Sequence, residues 1–139
     1  DVLWDWVRSD RDGTTDFLGN THPNSQAFHA QLAKIFAAER DGFAWFRSVR
    51  RGVSLIGFVA LTITKTPFAG TIRMYLESPY RESDIVRDVI EAVSQQHRGM
   101  TLVFVTTDPL RANPFIEAGF TSQFVLTRPP TQGATDDRR

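Results

Sequence analysis

The stretch MYLESPYRESDIVRDVIEAV, Met74–Val93, decides how this chain folds. It opens inside TIRMYLE, Thr71–Glu77, which reads as a strand. It closes with Ile85, Val86, Val89, Ile90 and Val93 at helical spacing, the apolar stripe of a helix expected to end near His97 and Gly99. Between the two lies a basic loop, in which Ser83 and Asp84 are good helix caps. A loop that delivers arginine to a helix start is a place for an anion. The first N–H groups of a helix have no intrahelical partner, and the macrodipole leaves partial positive charge there.

Upstream, FAWFRSV, the turn RRG, VSLIGFVALTI, the loop TKTPFAG and TIRMYLE predict three strands in an antiparallel meander. Val53–Ile63 is apolar on both faces and belongs in the middle. Downstream, TLVFVTT, Thr101–Thr107, is expected to be a buried strand, and a helix between it and TIRMYLE predicts a parallel crossover. In DPLRANPFIEAGF, Asp108 caps, Pro109 takes the first helical position, Pro114 is expected to break or shorten the helix and Gly119 to end it. SQFVLTR, Ser122–Arg128, reads as a last strand. At the other end VLWDWVR alternates, with Leu3, Asp5 and Val7 opposite Trp4, Trp6 and Arg8, and reads as a short strand. A long connection follows. Phe28, Leu32, Ile35 and Phe36 then mark a helix from Asn24 or Ser25 to about Arg40, stopped at Gly42.

These elements predict one α/β (α+β) domain over residues 1–128, a mixed, mostly antiparallel twisted sheet flanked by helices. Residues 129–139 have the composition of a disordered tail. The 139 residues, 41% apolar, suffice for one core without metals or disulfides. Sixteen acidic and 16 basic side chains balance, which argues against a broad field for nucleic acid or an anionic membrane surface. Zero cysteines rule out a disulfide framework and a thiol nucleophile and fit a reducing, cytoplasmic setting. No apolar run reaches the length of a membrane span. His22, His29 and His97 are scattered without ligand spacing, so no metal is expected. Arg40, Arg47, Arg50 and Arg51 gather near one hairpin as a small basic patch. The first residue is Asp1, which suits a processed chain or a piece of a longer one.

From about Asn24 to Arg128, and best over Ile72–Phe120, the chain resembles the Gcn5-related N-acetyltransferase superfamily. In that family a splayed strand leads through Arg/Gln-x-x-Gly-x-Gly/Ala into a helix whose N-terminus holds the pyrophosphate of acetyl-coenzyme A; MYLESPYRESDIV falls on that stretch. FIEAGF resembles the family's Tyr-x-x-x-Gly-Phe. The resemblance implies cofactor contacts from Arg81, from Arg87 and from the amides of Ser83, Asp84, Ile85 and Val86. It also implies that the Leu76 amide faces the acyl carbonyl and that Glu77 is the base deprotonating an amine. Departures are plain. Asp84 and Val86 stand where the two glycines belong, Glu82 adds a second carboxylate, and Asp108 replaces an asparagine. Phe115 replaces the tyrosine proposed to protonate the departing thiolate, leaving Tyr75 or Tyr80 as substitutes; as a side chain it reads as a core aromatic.

Two functions follow. One is transfer of an acyl group from acyl-coenzyme A to an amine. The other is a noncatalytic binding or assembly module on the same fold, whose partner face would expose aromatics such as Trp4, Trp6, Trp45 or Phe68.

Overall fold

The structure, a computed structural model, describes residues 2–9, 24–81, 84–124 and 126–130. The expected connection over residues 10–23 and the tail from 131 on lie outside them.

The first element is a helix, α1, Val2–Ser9, not the strand that the alternation suggested. In so short a segment Leu3, Trp6 and Val7 also fit helical spacing, and burial decides between the two periods. Trp6 and Val7 are buried, with the Trp6 ring 5.2 Å from that of Tyr75. Helix α2, Ser25–Arg40, starts as expected: the Asn24 side chain accepts from the Ala27 N–H at 2.9 Å. Phe28, Leu32 and Ile35 face inward, while Phe36 is half exposed against the edge of Phe46. Gly42, at φ 83°, turns the chain out of the helix in a conformation open to glycine.

Strands β1, Ala44–Arg51, β2, Ser54–Lys65, and β3, Phe68–Leu76, form the antiparallel meander. A single 3-10 turn, Ser78–Tyr80, leads toward α3, Asp84–Gln96. The chain then returns as β4, Thr101–Val103, parallel to β3, giving the order β1-β2-β3-β4. β2 lies in the interior of the sheet and is buried on both faces, as its apolar run predicts. One face packs on α1 and α2 through Trp6, Val7, Phe28, Leu32, Phe58 and Tyr75. The other packs on α3 through Val59, Leu61, Ile72, Met74 and Leu76 against Val86, Val89, Ile90 and Val93.

Three differences from expectation lie downstream. β4 ends at Val103 rather than Thr107, because its partner runs off in another direction: pairing stops at Thr71↔Val103 while β3 continues along β2 to Leu76. The last helix, α4, Pro109–Glu117, is short, as expected, but runs unbroken through Pro114. In a helix this short the missing amide forfeits one bond, to Leu110, and the Pro114 carbonyl still accepts from Ala118 at 3.2 Å. No strand forms among the described residues of Ser122–Arg128, where Phe124 and Leu126 stand in solvent.

Candidate functional site

The parting of β3 and β4 opens a cleft. Glu77 donates its N–H to Ile56 at 2.9 Å, which fixes the alternation along β3: the backbone groups of Tyr75 and Arg73 face β2, and those of Leu76 and Met74 face the open side. The side chains alternate the other way, so Met74 and Leu76 enter the α3 core and Tyr75 the opposite one. Gly57 sits directly across from Leu76. A Cβ there would run into the Tyr75 carbonyl oxygen and come within 3.0 Å of the Leu76 Cα, so β2 and β3 meet at this point only because residue 57 is glycine.

The cleft holds a cavity of about 230 Å³. Met74, Tyr75 and Leu76 form one wall, with Arg81 and Val86 at the helix start. Phe104, Asp108, Leu110, Arg111, Pro114 and Phe115 form the facing wall. Arg81 is fixed at the mouth: its Nε donates to the Leu76 carbonyl at 2.8 Å, and its guanidinium lies 5.3 Å from the Tyr75 ring centre. Asp108 caps α4 by accepting from the Leu110 N–H at 3.0 Å, which leaves Arg111 one position on, its guanidinium 5.5 Å from the Phe104 ring centre. Two guanidinium groups thus reach one small cavity from opposite walls.

The structure distributes the expected residues unevenly. Tyr75, Leu76, Arg81, Val86 and Phe115 line the cavity. Glu77 is half buried just past the wall, its carbonyl accepting from Tyr80 at 2.9 Å to start the 3-10 turn. Asp84 is exposed in the first turn of α3, and Ile85 packs on the core edge. Ser83, like Glu82 and His22, lies outside the described residues. Arg87 is exposed and pairs with Glu117 at 2.9 Å, tying α3 to α4. Phe115 is a core aromatic, as read: 4% exposed, stacked on Phe104 at 3.9 Å and meeting Phe120 edge-on at 5.2 Å. A lone arginine in a capped helix carries no motif, so nothing in the sequence marks Arg111; the fold alone brings it to the same cavity as Arg81.

Elsewhere the expected patches dissolve. Arg47 pairs with Glu39 at 2.8 Å and lies over Trp45, whereas Arg51 lies over Tyr80, so the hairpin arginines have separate partners. Trp6 is buried and unavailable to a partner, Trp4 and Trp45 are half buried, and Phe68 is exposed. His97 packs edge-on against Trp45 at 4.8 Å; burial first, and then the Arg47 guanidinium, hold its pKa below the ordinary 6.5. No group of three His, Asp or Glu among the described residues could hold a metal ion, and no helix among them is long and apolar enough to cross a membrane.

No protein-family model matches the sequence, and no curated protein matches it. Solved structures do. A microcin C7 self-immunity acetyltransferase in complex with acetyl-CoA and AMP superposes with TM-score 0.65 at 15% identity, over 86% of this chain and 71% of the other. The ribosomal L7/L12 alpha-N-protein acetyltransferase in complex with coenzyme A gives 0.66 at 12%, over 84% and 71%. A Gcn5-related N-acetyltransferase from Ralstonia eutropha gives 0.56 at 16%, over 91% and 92%. The fold is therefore the one these acetyltransferases share.

Proposed function

We propose that this chain, having the fold of the Gcn5-related N-acetyltransferases, binds acyl-coenzyme A in the cleft between β3 and β4 and transfers the acyl group to an amine. The observation that carries the reading is the parting of the strands beyond Thr71 and Val103, which leaves the backbone of Leu76 facing a cavity rimmed by Arg81 and Arg111. Its donors suit an anionic thioester: an amide from Leu76, two guanidinium groups and the N-terminal end of α3. Acyl-coenzyme A, when bound, supplies an activated carbonyl.

The chain's own groups then have distinct work. The Leu76 N–H donates to an oxygen that gains negative charge during attack, and a donor held by the ladder to β2 needs no reorganisation to do so. Arg81 and Arg111 offset phosphate charge in place of the two loop glycines. Glu77, beside the wall, accepts the proton of the attacking amine, directly or through water, on its carboxylate. Phe115 offers no proton on the facing wall, so protonation of the departing thiolate falls to solvent or to Tyr75, which borders the cavity with its ring packed on the opposite face of β3.

The stack of Phe115 on Phe104 favours one second reading, a noncatalytic module that keeps the cleft without the acid. Calorimetry with acetyl-CoA and coenzyme A, paired with a thiol-release assay on primary amines and peptide N-termini, separates the two. Binding with turnover supports the enzyme, and binding without turnover supports the module. Absence of binding at millimolar ligand removes both cofactor readings. Arg111→Ala is expected to weaken binding by about tenfold to a hundredfold, the loss of one charge-assisted contact. Its melting temperature should stay near that of the parent.

A further inference from the structure

The splay of the sheet leaves a backbone problem at the end of β3. Leu76 turns its N–H and its carbonyl toward the margin where β4 has already stopped, since pairing ends at Thr71↔Val103. Leu76 is buried, and a buried carbonyl left without a partner costs as much as a lost hydrogen bond. A side chain stands in for the missing strand: the Arg81 Nε–H donates to the Leu76 carbonyl at 2.8 Å. The other end of the same peptide unit is held as well, with the Glu77 N–H donating to Ile56 at 2.9 Å. Bonded at both ends, this rigid plane cannot turn without breaking one of the two bonds.

The chain beyond it closes back on the same point. The Glu77 carbonyl accepts from the Tyr80 N–H at 2.9 Å and the Ser78 carbonyl from the Arg81 N–H at 3.3 Å, so one tight turn returns Arg81 to the strand that the chain has just left. Its guanidinium lies 5.3 Å from the Tyr75 ring centre, and that ring is itself buried beside Trp6. Backbone, carbonyl and ring together restrict the swing of the side chain.

We propose that Arg81 is a positioning residue, whose Nε–H locks the peptide joining Leu76 to Glu77 and so keeps the Leu76 N–H and the Glu77 carboxylate aimed at one reacting centre. The inference rests on the acyl-transfer reading and gives a second task to a side chain of which that reading uses only the charge. The Leu76 N–H lies on the same edge as the carbonyl that Arg81 holds, and the Glu77 side chain departs from the far end of the locked plane. A reacting group displaced by about 1 Å can cost about a hundredfold in rate.

Two substitutions separate the two tasks. Glutamine carries an amide N–H at the same number of bonds from the backbone as the arginine Nε but no charge, whereas lysine keeps the charge and has a methylene at that place. Arg81→Lys is expected to bind coenzyme A much as the parent does and to lose about tenfold to a hundredfold in kcat at saturating acetyl-CoA and amine. Arg81→Gln is expected to show the opposite split, with KM for acetyl-CoA raised about tenfold and most of kcat retained. NMR on the free chains gives the readout that needs no turnover: Arg81→Lys should move the Leu76 carbonyl carbon resonance and speed hydrogen exchange at the Glu77 amide, and Arg81→Gln should leave both near their parent values. An Arg81→Lys variant with parental kcat, or with the Leu76 resonance and the Glu77 exchange rate unchanged, overturns the proposal. A parent that binds acetyl-CoA without turnover removes acyl transfer and the task of Glu77 with it, while the free-chain spectra still decide whether Arg81 locks the peptide.

Discussion

Gly57 and His97 show how single residues set the terms for the site and for stability. Gly57 lets β2 close on β3 behind Leu76, so a methyl group there must push the Tyr75 carbonyl or the Leu76 backbone aside. Gly57→Ala is expected to lower unfolding free energy by about 1–3 kcal/mol, the usual cost of forcing atoms into a packed site, and to weaken coenzyme A binding as well. Urea denaturation and calorimetry on the same samples check both. For His97 the sign runs against acid. Its Nε2 is buried without a hydrogen-bond partner among the described residues, so protonation places charge where nothing receives it. The folded chain holds its pKa below 6.5, and the unfolded chain therefore binds the proton first as pH falls. Stability present above pH 6.5 is lost as pH drops through the folded value. His97→Phe keeps an aromatic ring beside Trp45 and should flatten the fall in melting temperature between about pH 7 and about pH 5.

Helix starts and strand ends decide which elements could be read from sequence. Asn24 satisfies an orphan amide of α2, and Asn24→Ala should cost about 1 kcal/mol in chemical denaturation. The Arg87–Glu117 link between α3 and α4 is solvent-exposed and adds little, about 0–1 kcal/mol. Elements with a local signal were legible: the cap and apolar stripe of α2, the stripe of α3, the Asp108–Pro109 start of α4 and the turns of the meander. Those set by partners were not. VLWDWVR satisfies two periods, and only the packing of Trp6 on Tyr75 selects the helix. TLVFVTT has the composition of a long strand but ends where β3 leaves it, which no residue of its own announces. The site divides similarly. Leu76 and Arg81 lie on one contiguous stretch and could be found by motif, whereas Arg111 reaches the same cavity from a distant helix. Pro114 announced a short helix but not an unbroken one, and the ring is tolerated because α4 is too short to lose much by one missing amide.

The whole molecule is a two-faced sheet with an opening on one margin. Its aromatic face, built on Trp6, Phe28, Phe58 and Tyr75, and its aliphatic face under α3 hold β3 from both sides, so the strand that walls the cleft is anchored on both of its faces. The forked sheet also leaves a temporal signature. Along β3 the amides of Arg73 and Tyr75 are locked into β2, while those of Met74 and Leu76 look into the cavity. Beyond Thr71, where β4 no longer covers the strand, solvent deuterium should therefore enter in an alternating rhythm, slow at Arg73 and Tyr75 and fast at Met74 and Leu76, a pattern resolvable residue by residue in NMR exchange spectra. Addition of coenzyme A thioester should silence the fast beat at Leu76 and leave Arg73 and Tyr75 as they were, making a single amide the reporter of occupancy.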